Sequence, residues 1–180
     1  MDKKEKARPE SVSRTFRIEE SILEELQQHA AEKRISINTL GNQIFRQYLE
    51  FYANADSAGF VSVHRSLITK LMTGHAEDEL ASIGAQVVQE SIEDTLFLLG
   101  YSQTINSIIS FIETWVRVSG FQSRSKTEGN TYTLFMQHDM GRNWSVMLGS
   151  GIRTMITKAG SKAELEVADK HLILKINLPH

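Results

Sequence analysis

The chain has 180 residues and a mass of 20.4 kDa, with 41% hydrophobic and 23% charged residues, a composition that argues against disorder and against insertion into a membrane. It contains no cysteine, which excludes disulfides and thiolate metal sites. The first ten residues, MDKKEKARPE, contain no apolar leader, and no later apolar run approaches the length of a membrane span, so we expect a cytoplasmic protein with no membrane partner. We also expect no cofactor.

The net charge is −2, but the charge is unevenly distributed along the chain. The basic residues of the first segment are Lys3, Lys4, Lys6, Arg8, Arg14 and Arg17. Glutamates follow directly from Glu19 onwards. We interpret residues 1–11 as a flexible basic arm whose cations Lys3, Lys4, Lys6 and Arg8 contact phosphate groups, with a solvated tail as the equal alternative.

Residues 12–52 follow one pattern, a short strand and two helices. Apolar and polar side chains alternate from Ser13 to Ile18, which predicts a strand with one apolar face. A first helix then carries Ile22, Leu26 and Ala30 on one stripe, and a second, capped by Ser36, carries its own apolar stripe.

Such a strand with two helices cannot bury a core alone, so we expect it to pair with a second copy. Two strands would pair antiparallel across a two-fold axis, and four helices would interlock beneath them. The polar strand faces would then point outwards together, at a width that suits the major groove of DNA. The alternative is an ordinary edge strand of a single globular domain.

This stretch resembles the ribbon-helix-helix DNA-binding module of the Arc and MetJ repressor type. The resemblance rests on TFRIEESILEEL, the turn EKR and the Ser-capped ISINTLGNQIF, although Arg34 stands where a glycine commonly ends the first helix. It implies an intertwined homodimer on double-stranded DNA. By position, it assigns base reading to Ser13, Thr15 and Arg17, and phosphate binding to the amides of Ser36, Ile37 and Asn38.

The rest of the chain predicts a second domain of α+β class. Residues 53–59, ANADSAG, are small and polar and predict a linker. Residues 60–180 show three helical stretches and then the order β-β-α-β-β, which predicts a single antiparallel sheet. Gly149 and Gly151 lie inside the last predicted helix, where we expect them to allow close approach of another helix or subunit.

The segment QHDMGRNWS lies between a predicted strand and this last helix. His138, Asp139 and Trp144 are therefore candidates for binding a small ligand. The competing interpretation is structural: Asp139 or Asn143 caps the helix, His138 forms local hydrogen bonds, and Trp144 anchors the helix in the core.

The sequence contains no GxSxG, HExxH or Walker motif, and its histidines are not at metal-ligand spacing, so we expect neither an enzyme nor a metal site. The resemblance implies a sequence-specific transcriptional regulator, a homodimer whose C-terminal α+β domain oligomerises further or senses a small-molecule effector. The alternative is a protein interaction module of the antitoxin or plasmid-partition type.

Overall fold

The computed structural model describes residues 12–178, so the predicted basic arm lies outside the described residues. The described chain is mixed α and β, with six α-helices and a four-stranded antiparallel sheet. It divides into two compact units, the first ending at Phe45 and the second beginning at Arg46.

The first unit contains helix α1, Glu20–Glu32, and most of helix α2, Ile37–Gln47. The strand expected over Ser13–Ile18 is not present: residues 12–19 are exposed and belong to neither a helix nor a strand. The physical reason is that strand pairing needs a neighbouring strand, and no segment of this unit within residues 12–45 offers one. An N-terminal ribbon-helix-helix is therefore not shown by this single chain.

Helix α1 ends in a tight left-handed turn. Arg34 has φ of 54°, a conformation that favours glycine. The amide of Ile35 donates to the carbonyl of Ala30 at 3.0 Å and that of Arg34 to Ala31 at 2.9 Å. These two bonds form a Schellman motif, so a non-glycine residue occupies the position that usually takes glycine.

The second unit opens with a π-helical turn and then alternates helices and strands much as its periodicity predicts. The elements are the turn Tyr48–Tyr52, α3 Arg65–Leu71, α4 Glu77–Leu98, α5 Ile105–Val118, β1 Gln122–Glu128, β2 Thr131–Gln137, α6 Arg142–Lys158, β3 Ala163–Val167 and β4 His171–Asn177. The β-β-α-β-β order is therefore confirmed. The spatial order of the strands is β1-β2-β4-β3, with every neighbouring pair antiparallel.

One face of this sheet forms the core of the second unit. Alternate side chains of β2 and β4 are almost completely buried: Leu134, Met136, Leu172, Leu174 and Ile176. They pack in one cluster with Val116 of α5 and Ile156 of α6. Because side chains alternate across a strand, the opposite face of the same strands carries the more exposed residues.

Helices α4 and α6 cross at very close range through two glycines. A β-carbon added to Gly84 of α4 would lie 2.0 Å from the carbonyl oxygen of Met147, and one added to Gly151 of α6 would lie 3.1 Å from the carbonyl oxygen of Gly84. A β-carbon on Gly149 would lie 3.1 Å from Leu172 of the sheet. Gly151 allows the close approach of another helix, as expected, whereas Gly149 lies against the sheet, and both partners belong to the same unit.

The predicted linker is part of the second unit. Phe51 and Ala55 are buried in its core cluster, and Phe60 packs against that cluster. Rings of Phe51 and Phe60 meet edge to face with centroids 4.9 Å apart. The division of the chain therefore falls at residue 45, before the predicted linker at 53–59.

Candidate functional site

The residues predicted to read bases lie in the segment before α1. Ser13, Thr15 and Arg17 are all exposed. They alternate with Phe16 and Ile18, whose side chains are also exposed. The segment thus presents its polar and its apolar residues alike to solvent.

Ser36 caps helix α2, as its position predicts. Its hydroxyl oxygen accepts a hydrogen bond from the amide of Thr39 at 3.1 Å and lies 2.8 Å from the Thr39 hydroxyl. The amides of Ile37 and Asn38 belong to the first turn of the helix, where main-chain donors have no carbonyl partner in the helix itself. This end of α2 is therefore suited to an anion.

The first unit exposes most of its large apolar side chains. Among residues 12–45 only Ala30 and Leu40 are buried. The exposed ones are Val12, Phe16, Ile18, Ile22, Ile44 and Phe45, with Phe16 at 65% and Phe45 at 54%. The unit therefore lacks a core of its own and presents an apolar surface suited to a protein partner.

In the second unit, His138 forms a buried hydrogen-bond chain. The amide of Met140 donates to its Nδ1 at 3.2 Å, so Nε2 carries the proton and donates to the Ser145 hydroxyl at 2.9 Å. That hydroxyl in turn donates to the carbonyl of Ala168 at 2.6 Å. Burial lowers the pKa of His138 below its ordinary value, with opposing effects of Asp139, which raises it, and His171, which lowers it further.

This chain ties the start of α6 to the turn between β3 and β4, and both ring nitrogens of His138 are used. Asp139, next to it, is exposed, and Gly141 rather than Asp139 or Asn143 occupies the capping position of α6. His138 therefore forms local hydrogen bonds, as the structural interpretation of this segment expected. Asp139 does not share a site with it.

Trp144 borders a cavity of about 610 Å³ in the second unit. The cavity has aromatic walls formed by Phe51, Phe60, Trp115, Phe121 and Trp144. The indole rings of Trp115 and Trp144 are stacked at 6.5 Å, and the Phe121 ring lies within 6.4 Å of both. The buried Nε1 of Trp144 has no hydrogen-bond partner among the described residues.

Arg65 of α3 also borders this cavity. Its guanidinium carbon lies 5.1 Å from the centre of the Phe121 ring, and its Nη2 donates to the carbonyls of Ser119 and Gly120 at 2.9 and 3.3 Å. Sequence reasoning did not find Arg65, because its partners are more than fifty residues away in the chain. Trp115 was visible only as part of an apolar helix face.

No protein-family model matches this chain, and no curated protein is significantly similar to it. Over residues 12–178, no three histidine, cysteine or carboxylate side chains are grouped so as to hold a metal ion. Over the same residues, no helix combines the length and the apolar character that a membrane span requires.

Proposed function

We propose that this protein is a sequence-specific DNA-binding transcriptional regulator of the ribbon-helix-helix type. It acts in the cytoplasm as a homodimer on double-stranded DNA. The second unit serves as its sensor or oligomerisation domain, which responds to a small-molecule effector or joins dimers together.

The observation that carries this proposal is the exposed apolar surface of the first unit. Two helices and a preceding segment that bury only Ala30 and Leu40 cannot be stable without a partner. A second copy would cover Phe16 and Ile18 by pairing the two segments and would pack α1 and α2 around the two-fold axis. Burying a phenylalanine contributes about 2 kcal/mol, so covering this apolar surface favours association.

Pairing of the two segments would also decide on which face of the ribbon the polar residues lie. Because side chains alternate along a strand, a ribbon that buries Phe16 and Ile18 turns Ser13, Thr15 and Arg17 to the other face. Arginine forms bidentate hydrogen bonds with O6 and N7 of guanine, and the two hydroxyl residues contact either base type. Arg17 is therefore the main base-reading residue of the proposal.

The start of α2 would hold the protein against the DNA backbone. The amides of Ile37 and Asn38, with the helix dipole behind them, favour a phosphate next to Ser36. The arm residues Lys3, Lys4, Lys6 and Arg8 would add contacts that do not depend on sequence. These contacts set position, whereas Arg17 sets base preference.

The test is selection of binding sites by the full-length protein from a random pool of duplex DNA at moderate salt. The Arg17→Ala variant is selected in parallel. The matched control is Arg14→Ala, which removes the same charge from the other side of the same exposed segment. Both variants remove one positive charge from this segment, so a loss of base preference confined to Arg17→Ala does not come from the change in net charge.

We expect the wild type to enrich an inverted repeat. The Arg17→Ala variant should lose about 1 to 3 kcal/mol of binding free energy on that repeat and should no longer prefer it over other sequences. Arg14→Ala should weaken binding to all sequences by a similar factor and keep the base preference. If the wild type enriches no sequence, the first unit serves association with another copy or another protein instead. Equal loss of preference in both variants would contradict the role of Arg17.

A further inference from the structure

We propose that the aromatic cavity of the second unit binds a small planar aromatic carboxylate. Binding itself does not depend on DNA binding, but a role as effector rests on the function proposed above. Two features of the cavity point to this class of ligand: its aromatic walls and a positioned cation.

The walls select a flat apolar body. A volume of about 610 Å³ is in the range of pockets for small ligands, which are about 300 to 1,000 Å³. The stacked rings of Trp115 and Trp144, with Phe121 beside them, offer faces and edges to another aromatic ring.

The cation favours a negative charge on the ligand. Arg65 is held in place by two main-chain carbonyls and by the Phe121 ring, all of them uncharged. No carboxylate of the described residues forms an ion pair with it. Both of its hydrogen bonds use Nη2, so Nε and Nη1 can donate to a ligand. Asp56 also borders the cavity, so the ligand carboxylate is expected on the Arg65 side, away from it.

The test is isothermal titration calorimetry on the full-length protein with benzoate, 2-naphthoate and indole-3-acetate. Each acid is compared with its primary amide, which keeps an acceptor oxygen but carries no charge. The variants are Arg65→Gln and Trp144→Phe. The matched control is Arg124→Gln on β1, which removes an exposed arginine elsewhere in the same unit.

We expect at least one acid to bind the wild type at least about tenfold more tightly than its amide, because its carboxylate forms a charge-assisted hydrogen bond with Arg65 that the neutral amide does not form. Arg65→Gln should abolish this preference. Trp144→Phe should weaken the acid and its amide alike, by about three- to tenfold, because both lose part of the same aromatic wall. Arg124→Gln should behave as the wild type.

The proposal is overturned if no acid binds with a dissociation constant below about 1 mM, or if Arg65→Gln binds acid and amide in the wild-type ratio. Thermal unfolding of each variant establishes that it is folded. Since Arg65 is exposed, its replacement leaves the core intact even if Trp144→Phe does not. The DNA selection uses no ligand, so failure of one proposal leaves the other unaffected.

Discussion

Gly84 of α4 lies directly against the main-chain carbonyl of Met147 on α6. The space between them is too small for one methyl group, since a β-carbon on Gly84 would lie 2.0 Å from the oxygen and 2.9 Å from the carbon of that carbonyl. The obstacle is backbone, which cannot turn away as a side chain can. The crossing of these two helices therefore depends on glycine at this position.

Replacing Gly84 by alanine should lower the free energy of unfolding by about 3 kcal/mol or more, since α4 and α6 must separate to admit the methyl group. The measurement is equilibrium unfolding in guanidinium chloride. The control is Gln86→Ala, at an exposed position two residues further along α4. Equal stability of the two variants would contradict the close contact of α4 with α6 at Gly84.

Replacing Arg34 by glycine should stabilise the protein. Its φ of 54° places the β-carbon in a conformation that costs an L-residue about 1 kcal/mol, and glycine avoids that cost. Arg34→Gly should therefore raise the free energy of unfolding by up to about 1 kcal/mol at fixed protein concentration. Arg34→Ala removes the same charge but keeps the β-carbon, so a matching gain in that variant would show that charge, and not the backbone, is responsible.

Stability should fall as the pH drops through the range in which histidine titrates. Burial lowers the pKa of His138 in the folded protein, so the unfolded chain takes up a proton first as the pH falls below about 6.5. The contribution of His138 is fully present above that pH and declines below it, by at most about 1.4 kcal/mol per pH unit.

Urea unfolding from pH 8 to pH 5.5 measures this dependence, above the range in which most carboxylates titrate. His138→Gln should be less stable at pH 8, because the link from Met140 to Ser145 is weakened, but its stability should vary less with pH. The slopes of the wild type and His138→Gln are compared directly, because every other histidine is the same in the two proteins. If the stability of His138→Gln varies with pH as much as that of the wild type, the pH dependence does not come from His138.

Association of the protein should depend on the apolar surface of its first unit. The rings of Phe16 and Phe45 lie 5.9 Å apart and are both more than half exposed. A two-fold dimer contains two copies of Phe45, and burying each copy contributes about 2 kcal/mol to association. Phe45→Asp should therefore raise the dimer dissociation constant at least about a hundredfold.

Analytical ultracentrifugation over a range of concentrations measures this constant. Phe97→Asp is the matched control, because Phe97 of α4 is 81% exposed and lies in the second unit. We expect it to leave the association unchanged. Dissociation by Phe97→Asp but not by Phe45→Asp would place the interface on the second unit.

The order and type of the helices and strands in residues 60–178 could be predicted from local pattern, whereas several of their first residues could not. Helical spacing of apolar residues predicts α4, α5 and α6, and alternation predicts β2 and β4, because one face of each element is buried against a common core. The segment from Ser13 to Ile18 has equally clear alternation but forms no strand here, since the hydrogen bonds of a strand come from a neighbour.

The candidate sites were predictable only in part. Ser36 was expected to cap α2 and does so, because a cap is a local arrangement of three or four residues. His138, Asp139 and Trp144 are close in sequence but face different surroundings: a buried hydrogen-bond chain, solvent, and the aromatic cavity. Arg65 and Phe121 reach that cavity from distant parts of the chain, and no local pattern connects them.

The amino-acid sequence by itself determined the order and type of the helices and strands of residues 60–178 and the cap of α2. The tertiary structure alone decided the strand order β1-β2-β4-β3, the meeting of Gly84 with Met147, and the grouping of Arg65, Trp115 and Trp144 around one cavity. The reason is physical: periodicity, capping and turn conformation depend on residues a few positions apart, whereas strand pairing and cavity formation depend on which distant surfaces exclude water together.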